Sequence, residues 1–247
     1  MKILLSGLTG HMGQEVAKLI GADPALELTA GVDAFAGENT CVPCAKNFED
    51  AETKVDCVID FSHHSQTKAL LDFCVANHLP LVLATTGQTE EEKQMILTAS
   101  ASIPLFFAAN YSLGIALLIE LAKKAAATME GAEIEIVEAH HDRKLDAPSG
   151  TALAIADGIR EVRPESVNHC GRSGQGKRTP EEIGIHAIRM GNIVGMHEVI
   201  IGTQNQTITL KHEAHSRALF AEGALSAAKF LMGKGAGLYD MKSILAL

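Results

Sequence analysis

The chain has 247 residues and carries 30 acidic against 21 basic side chains, a net charge of −9, with 47% hydrophobic and 21% charged residues. That is long enough for one large or two smaller globular domains. The acidic balance argues against nucleic acid or an anionic membrane surface as the main partner, and no apolar run approaches the length of a membrane span.

The start, Met1 to Gly7, has an apolar run too short for a signal peptide. Five scattered cysteines, an odd number, suit a reducing cytoplasm. Cys41-Val-Pro-Cys44 has C-x-x-C spacing, but no second Cys/His pair follows with matching spacing, so no metal site is expected.

Lys2 to Ser6 is a short apolar strand. Gly7-Leu8-Thr9-Gly10-His11-Met12-Gly13 follows directly, and Val16, Ala17, Leu19 and Ile20 then recur at helical spacing. Gly-x-x-Gly-x-x-Gly between strand and helix is a variant of the dinucleotide fingerprint. The glycines let the backbone turn tightly and approach a pyrophosphate, which rests on the helix N-terminus. A second strand, Leu26 to Val32, ends at Asp33. An acidic residue about 20 residues past the glycines accepts both ribose hydroxyls of NAD. Ala34 stands where an arginine would pair with the 2′-phosphate of NADP, which favours NADH. An ordinary glycine turn with a strand-ending Asp is the plain alternative.

Residues 34 to 54 are polar and irregular. Val55 to Phe61 reads as a buried strand, Gln66 to Asn77 as a helix and Leu79 to Ala84 as a strand. Thr89 and Glu92 form a capping box for a further helix, and Ile103 to Ala108 is another strand. This alternation predicts an α/β fold with a doubly wound parallel sheet, in which ligands bind at the carboxyl ends of strands. Gly7 to Gly13, Asp33, Thr85-Thr86-Gly87 and Ala108-Ala109-Asn110-Tyr111 all fall there. Ser112 caps a helix to about Met129, with Leu117, Leu118 and Leu121 on one face.

From Glu133 the pattern changes. Glu133 to Glu138 alternates with the period of a half-buried strand, and Ser149 caps an Ala-rich helix to about Val162. Between them, on a predicted loop, lie His140, His141, Arg143, Lys144 and Asp146. Titratable imidazoles, a cation and backbone N–H groups at a helix start are what an anionic substrate needing a proton would use. A solvated loop with a helix cap is the alternative. His169 to Pro180 is polar, and Gly171 to Lys177 lacks Walker spacing, so it reads as a flexible loop or lid. Gly184 to Arg189, Met196 to Gly202 and Gln206 to His212 read as strands without intervening helices. They predict a second, α+β domain with a mixed or antiparallel sheet. A helix from Ser216 to Met232 carries Ala221, Ala224, Leu225 and Ala228 on one face, and Leu238 to Leu247 is an apolar tail expected to pack on the first domain.

The run Glu138-Ala139-His140-His141, then Lys144, then Asp146-Ala147-Pro148-Ser149-Gly150-Thr151 closely resembles the 4-hydroxy-tetrahydrodipicolinate (dihydrodipicolinate) reductases of the diaminopimelate–lysine pathway. The likeness covers nearly the whole chain, including Gly7 to Gly13, Thr85-Thr86-Gly87, Phe107 to Asn110, Gly184 to His186 with Arg189, Ile193 to Gly195, His197-Glu198 and Ser216-Arg217. The resemblance implies a Rossmann-type domain of residues 1–111 and 216–247, with a substrate-binding and oligomerisation domain of residues 112–215. It implies a cytoplasmic homotetramer in which NADH or NADPH reduces a small cyclic dicarboxylate imine. Carried over, His140 is the catalytic acid/base and Lys144 the proton donor, while His141, Gly150 and Thr151 contact substrate. Gly7, Leu8, Thr9, Gly10, His11, Met12, Asp33, Ala84, Thr85, Thr86, Ala108, Ala109, Asn110 and Tyr111 contact the cofactor.

Two departures stand out. Ala84 replaces a glycine of many members, and Ala34 replaces an arginine of some, which puts strong NADPH use in doubt. The residues alone leave open which of His140 and Lys144 gives the proton. They also leave two rivals: another NAD-dependent enzyme such as an amino-acid dehydrogenase, and a non-enzymatic NAD-binding redox sensor. Inhibition by pyridine-2,6-dicarboxylate is expected, as is domain closure with hinges near Asn110 to Leu113 and Ser216-Arg217.

Overall fold

A computed structural model describes residues 1–37 and 40–245. Residues 38 and 39 of the expected irregular stretch, and 246 and 247 of the expected tail, lie outside the described residues. The chain forms two compact units, Met1–Ser112 with Ala218–Leu247, and Leu113–Arg217. It crosses between them at Ser112–Leu113 and at Arg217–Ala218.

The elements of the first unit are β1 (Lys2–Ser6), α1 (His11–Ala22), β2 (Glu27–Val32), β3 (Cys44–Ala45), β4 (Cys57–Asp60), α2 (Thr67–Ala76), β5 (Leu81–Leu83), α3 (Glu90–Ser100) and β6 (Pro104–Phe107). The second unit contributes α4 (Leu113–Thr128), β7 (Glu133–His140), α5 (Gly150–Arg160), β8 (Val167–Cys170), β9 (Glu182–Arg189), β10 (Gly195–Gly202) and β11 (Thr207–Ala214). The chain then returns to the first unit as α6 (Ala218–Leu231), β12 (Gly237–Tyr239) and α7 (Met241–Ile244).

The first unit is a seven-stranded sheet in the order β12-β6-β5-β4-β1-β2-β3, parallel throughout. Ile3, Leu4, Leu5, Ile59, Leu81, Leu83 and Leu105 are all fully buried. Strands covered on both faces carry such continuous apolar runs instead of alternation. The Thr89–Glu92 capping box is present at the start of α3, and Ala221, Ala224, Leu225 and Ala228 of α6 are buried. The expected tail pairs as β12 with β6.

The second unit is a mixed sheet in the order β11-β10-β7-β9-β8. β7 runs antiparallel to β10 and parallel to β9. Its covered face packs Ile134, Ile136, Ile183, Ile185, Val199 and Ile201 against Ile115, Leu118, Ala122 and Ala126 of α4 and Ala152, Ile155, Ala156 and Ile159 of α5.

Three expectations are corrected. Leu118 of α4 is buried, but Leu117 and Leu121 are 40% and 43% exposed. The buried stripe follows Ile115, Leu118, Ala122 and Ala126, the spacing of one helical face, with small alanines letting the helix approach the sheet. His140 is the last residue of β7 and not part of a loop, because ladder pairing runs as far as His140 opposite Arg189. β8, a strand of Val167, Asn168, His169 and Cys170, runs into the start of the polar stretch expected from His169 to Pro180; it exists by pairing with β9 and carries no apolar alternation of its own.

Candidate active site

The nucleotide-binding candidates all lie in the first unit. Gly7 has φ +78°, and a Cβ there would stand 2.5 Å from the Phe61 carbonyl oxygen; a Cβ on Gly13 would overlap the Gly7 carbonyl oxygen. The backbone at this turn is therefore a cradle that only glycine fits. Gly10 caps α1 without a side-chain hydrogen bond, and the first turn holds no acidic residue, so no side chain of the helix itself offsets its positive end. Leu8 is buried and its side chain packs against Gly31, so only its backbone faces the turn. Thr9, Gly10 and His11 are exposed.

Asp33 follows β2 and accepts from the Thr9 N–H (2.8 Å), the Thr9 hydroxyl (2.7 Å) and the Phe35 N–H (2.9 Å). Burial raises its pKa, but these bonds outweigh burial and hold the carboxyl below its ordinary value. An ionised carboxylate beside the glycine turn suits a pair of ribose hydroxyls and repels a phosphate. Ala84 and Thr85 are buried at the end of β5, where the Ala84 N–H donates to the Asp60 carbonyl. Tyr111 turns its ring inward, with its hydroxyl near the carbonyls of Leu83 (2.8 Å) and Phe106 (3.2 Å). Any contact Tyr111 makes with a nucleotide is thus through its backbone. Ala108 is buried, Ala109 is exposed and Asn110 accepts from the Ser112 N–H.

The second cluster lies at one end of the mixed sheet. Period-two alternation places Glu138 and His140 on the same face as Ile134 and Ile136. Arg189 follows Ile185 in phase on β9, and His197 precedes Val199 and Ile201 on β10. One face is therefore apolar at one end and polar at the other.

Glu138 has no solvent exposure and accepts four hydrogen bonds. His140 Nδ1 lies 2.6 Å from Oε2, Arg189 donates to Oε2 (2.8 Å) and Oε1 (2.7 Å), and the Ser149 N–H donates to Oε1 (3.0 Å). Burial alone would raise its pKa; Arg189, then His140 and Ser149, outweigh that and hold it below the ordinary carboxylate range. Ser149 caps α5 by accepting from the Ala152 N–H, a bond of about 1 kcal/mol. Its hydroxyl also meets His197 Nε2 at 3.1 Å. His140 and His197 pack edge to face, 5.1 Å apart. Burial, then the adjacent His140, bring the His197 pKa down to about 4.

After β7, the Asp142 N–H donates to the Gly191 carbonyl and Arg143 to Asn192, which pins the loop to the turn between β9 and β10. Burial, then the cations of Arg143 and Arg217, hold His141 below the ordinary imidazole range, so it is neutral at pH 7. Lys144 Nζ lies 2.8 Å from the Asp146 carboxylate, which also accepts from the Gly150 N–H. Asp146 is lowered chiefly by Lys144, against burial. The end of β7 and the start of α5 thus bring together His140 and Ser149 on Glu138, and Lys144 and the Gly150 N–H on Asp146, with His141 next to His140 and Thr151 the next residue of α5.

Sequence reasoning assigned no role to Glu138, Arg189, His197 or Asp146. A glutamate on the buried phase of an Ile-x-Ile-x-Glu-x-His strand is the signal that would have found the first.

Family models place this chain. The dihydrodipicolinate reductase N-terminal model matches residues 1–111, and the C-terminal model matches residues 114–245. The chain belongs to the dihydrodipicolinate reductase family. It is therefore a pyridine-nucleotide-dependent oxidoreductase with a Rossmann-type sheet. The 4-hydroxy-tetrahydrodipicolinate reductase of Caldanaerobacter subterraneus subsp. tengcongensis is 46% identical over 99% of this chain and 98% of its own. That of Clostridium tetani is 42% identical over 99% and 97%. A dipicolinate-bound dihydrodipicolinate reductase from Paenisporosarcina sp. TG-14 matches with a TM-score of 0.82 and 27% identity, covering 97% of each chain. No helix among the described residues is long and apolar enough to cross a membrane.

Proposed function

We propose that the protein reduces 4-hydroxy-tetrahydrodipicolinate to tetrahydrodipicolinate with NADH or NADPH, the step belonging to the diaminopimelate route to lysine. Loss of the 4-hydroxyl as water leaves a conjugated imine, to which one hydride and one proton are added. The nucleotide, when bound, supplies the hydride. The observation that carries the reading is the corner at the end of β7, where an oriented imidazole, a lysine ammonium and the start of a helix converge. The substrate is a small dicarboxylate, and the Paenisporosarcina relative holds dipicolinate.

One substrate carboxylate takes the place of Asp146 against Lys144 and the Gly150 and Thr151 end of α5, with neutral His141 as a further donor. Reduction of a conjugated imine leaves negative charge on its nitrogen side. Lys144 Nζ, or His140 Nε2 when the ring holds a second proton, neutralises that charge by proton transfer, a contribution of about 10²–10⁴ in rate.

The nucleotide-binding unit is Met1–Ser112 with Ala218–Leu247, held to Gly7 through Met12, Asp33, Ala84 to Thr86 and Ala108 to Tyr111. Leu113–Arg217 binds the dicarboxylate and assembles a homotetramer in the cytoplasm. NADH is preferred, because Asp33 is an anion and Ala34 supplies no cation for a 2′-phosphate.

Oxidation of NADH and of NADPH by the freshly made condensation product of pyruvate and aspartate semialdehyde tests the reading. Turnover with a kcat/KM ratio above one in favour of NADH is expected. Turnover of an amino acid with no oxidation by the condensation product would favour a dehydrogenase, and a ratio below one would overturn the NADH preference alone.

A further inference from the structure

We propose that Glu138 is the positioning residue of the proton-transfer step: its carboxylate holds His140 as the Nδ1–H tautomer, with Nε2 left free to exchange a proton, and ties the start of α5 to the same point. This rests on the reading of His140 as a proton-handling group. An ionised carboxylate accepts only, so the nitrogen it faces at 2.6 Å carries the hydrogen. In the neutral ring His140 Nε2 then bears the lone pair. Its surroundings are kept clear by Gly195, where a Cβ would stand 3.2 Å from that nitrogen.

A carboxylate without solvent exposure is costly unless its oxygens are bonded and its charge met. Arg189 does both with a two-pronged contact, and it is itself anchored by the carbonyls of Asp146 (2.5 Å) and Ile188 (2.8 Å). Glu138 and Arg189 together are neutral, so the pair orients the imidazole without adding net charge beside it. The remaining bond, from the Ser149 N–H, fixes the residue that caps α5. The same Ser149 is held on its other side by His197. A single carboxylate therefore sets both the ring that moves the proton and the helix end that receives the substrate. A carboxylate that served folding alone would need no imidazole at 2.6 Å and no glycine clearing the ring's far nitrogen.

Nitrogen-15 spectra of histidine-labelled protein at neutral pH, with His140 assigned by its disappearance in His140→Ala, read the tautomer directly. The neutral ring of the wild type is expected to carry its hydrogen on Nδ1 and not on Nε2. In Glu138→Gln the amide has a single accepting oxygen, and its NH₂ set against His140 inverts the tautomer. kcat is then expected to fall about 10²–10⁴-fold, with the KM for NADH unchanged. An Nε2–H tautomer in the wild type would overturn the proposal without need of any variant. A Glu138→Gln protein that is folded, keeps its tautomer and keeps kcat would also overturn it. If His140→Ala itself keeps turnover, the fault lies with the reading of the site. If it loses turnover while Glu138→Gln does not, the fault lies with the role given to Glu138.

Discussion

His197 makes the stability of the second unit fall in acid by an amount that its burial sets. It is 4% exposed, Nε2 meets Ser149 and Nδ1 has no hydrogen-bond partner among the described residues. Its pKa is about 4 in the folded protein against an ordinary 6.5. Below pH 6.5 the unfolded chain takes up a proton that the folded chain refuses. The associated stability is therefore complete above about pH 6.5 and is lost as pH falls towards 4. The gap corresponds to about 3 kcal/mol in total, of which about 2 kcal/mol is gone by pH 5. His197→Asn keeps a polar group near Ser149 and removes the titration. Urea unfolding of both proteins at pH 7.5 and pH 5 isolates the effect, because the remaining titrating groups largely cancel in the difference. The wild type should lose about 2 kcal/mol more than the variant over that interval. Equal losses would mean that folded His197 accepts its proton as readily as the unfolded residue, and the reasoning from burial would fail.

Other outcomes follow from the same geometry. His140→Ala and Lys144→Ala should each lower kcat about 10²–10⁴-fold while leaving NADH binding by fluorescence titration unchanged; retained turnover in both would remove the assigned site. Asp146→Asn should tighten binding of pyridine-2,6-dicarboxylate several-fold in calorimetry, since the carboxylate that competes for Lys144 and the Gly150 N–H is gone. Weaker binding would mean that Asp146 orients Lys144 for the ligand. Gly13→Ala should abolish NADH binding or prevent folding, because its Cβ meets the Gly7 carbonyl oxygen. Normal binding would contradict the close turn.

The strong elements of the fold were legible in the residues because each carried its own period. β1 and the glycine turn, the capping box of α3 and the alternation of β7 read directly. Short strands did not, since β3, β8 and β12 hold two to four residues each and are strands only because a neighbour pairs with them. The face of α4 was misread because Leu117 and Leu121 look like core residues by type, while Ala122 and Ala126 are the ones that let the helix approach the sheet. Within the site, contiguous residues of the motif were visible as a cluster. Arg189 and His197 come from other strands, and no local pattern announces that they converge on Glu138. Asp33 was placed correctly at the end of β2, but its bonds to Thr9 are tertiary and lay beyond reach of spacing rules.

The most direct test is a crystal structure of the protein with pyridine-2,6-dicarboxylate. One carboxylate is predicted at the Gly150 and Thr151 end of α5 against Lys144, with Asp146 displaced and the ring beside His140 Nε2. A dicarboxylate bound away from that corner, with Asp146 still paired to Lys144, would contradict the assignment of the site.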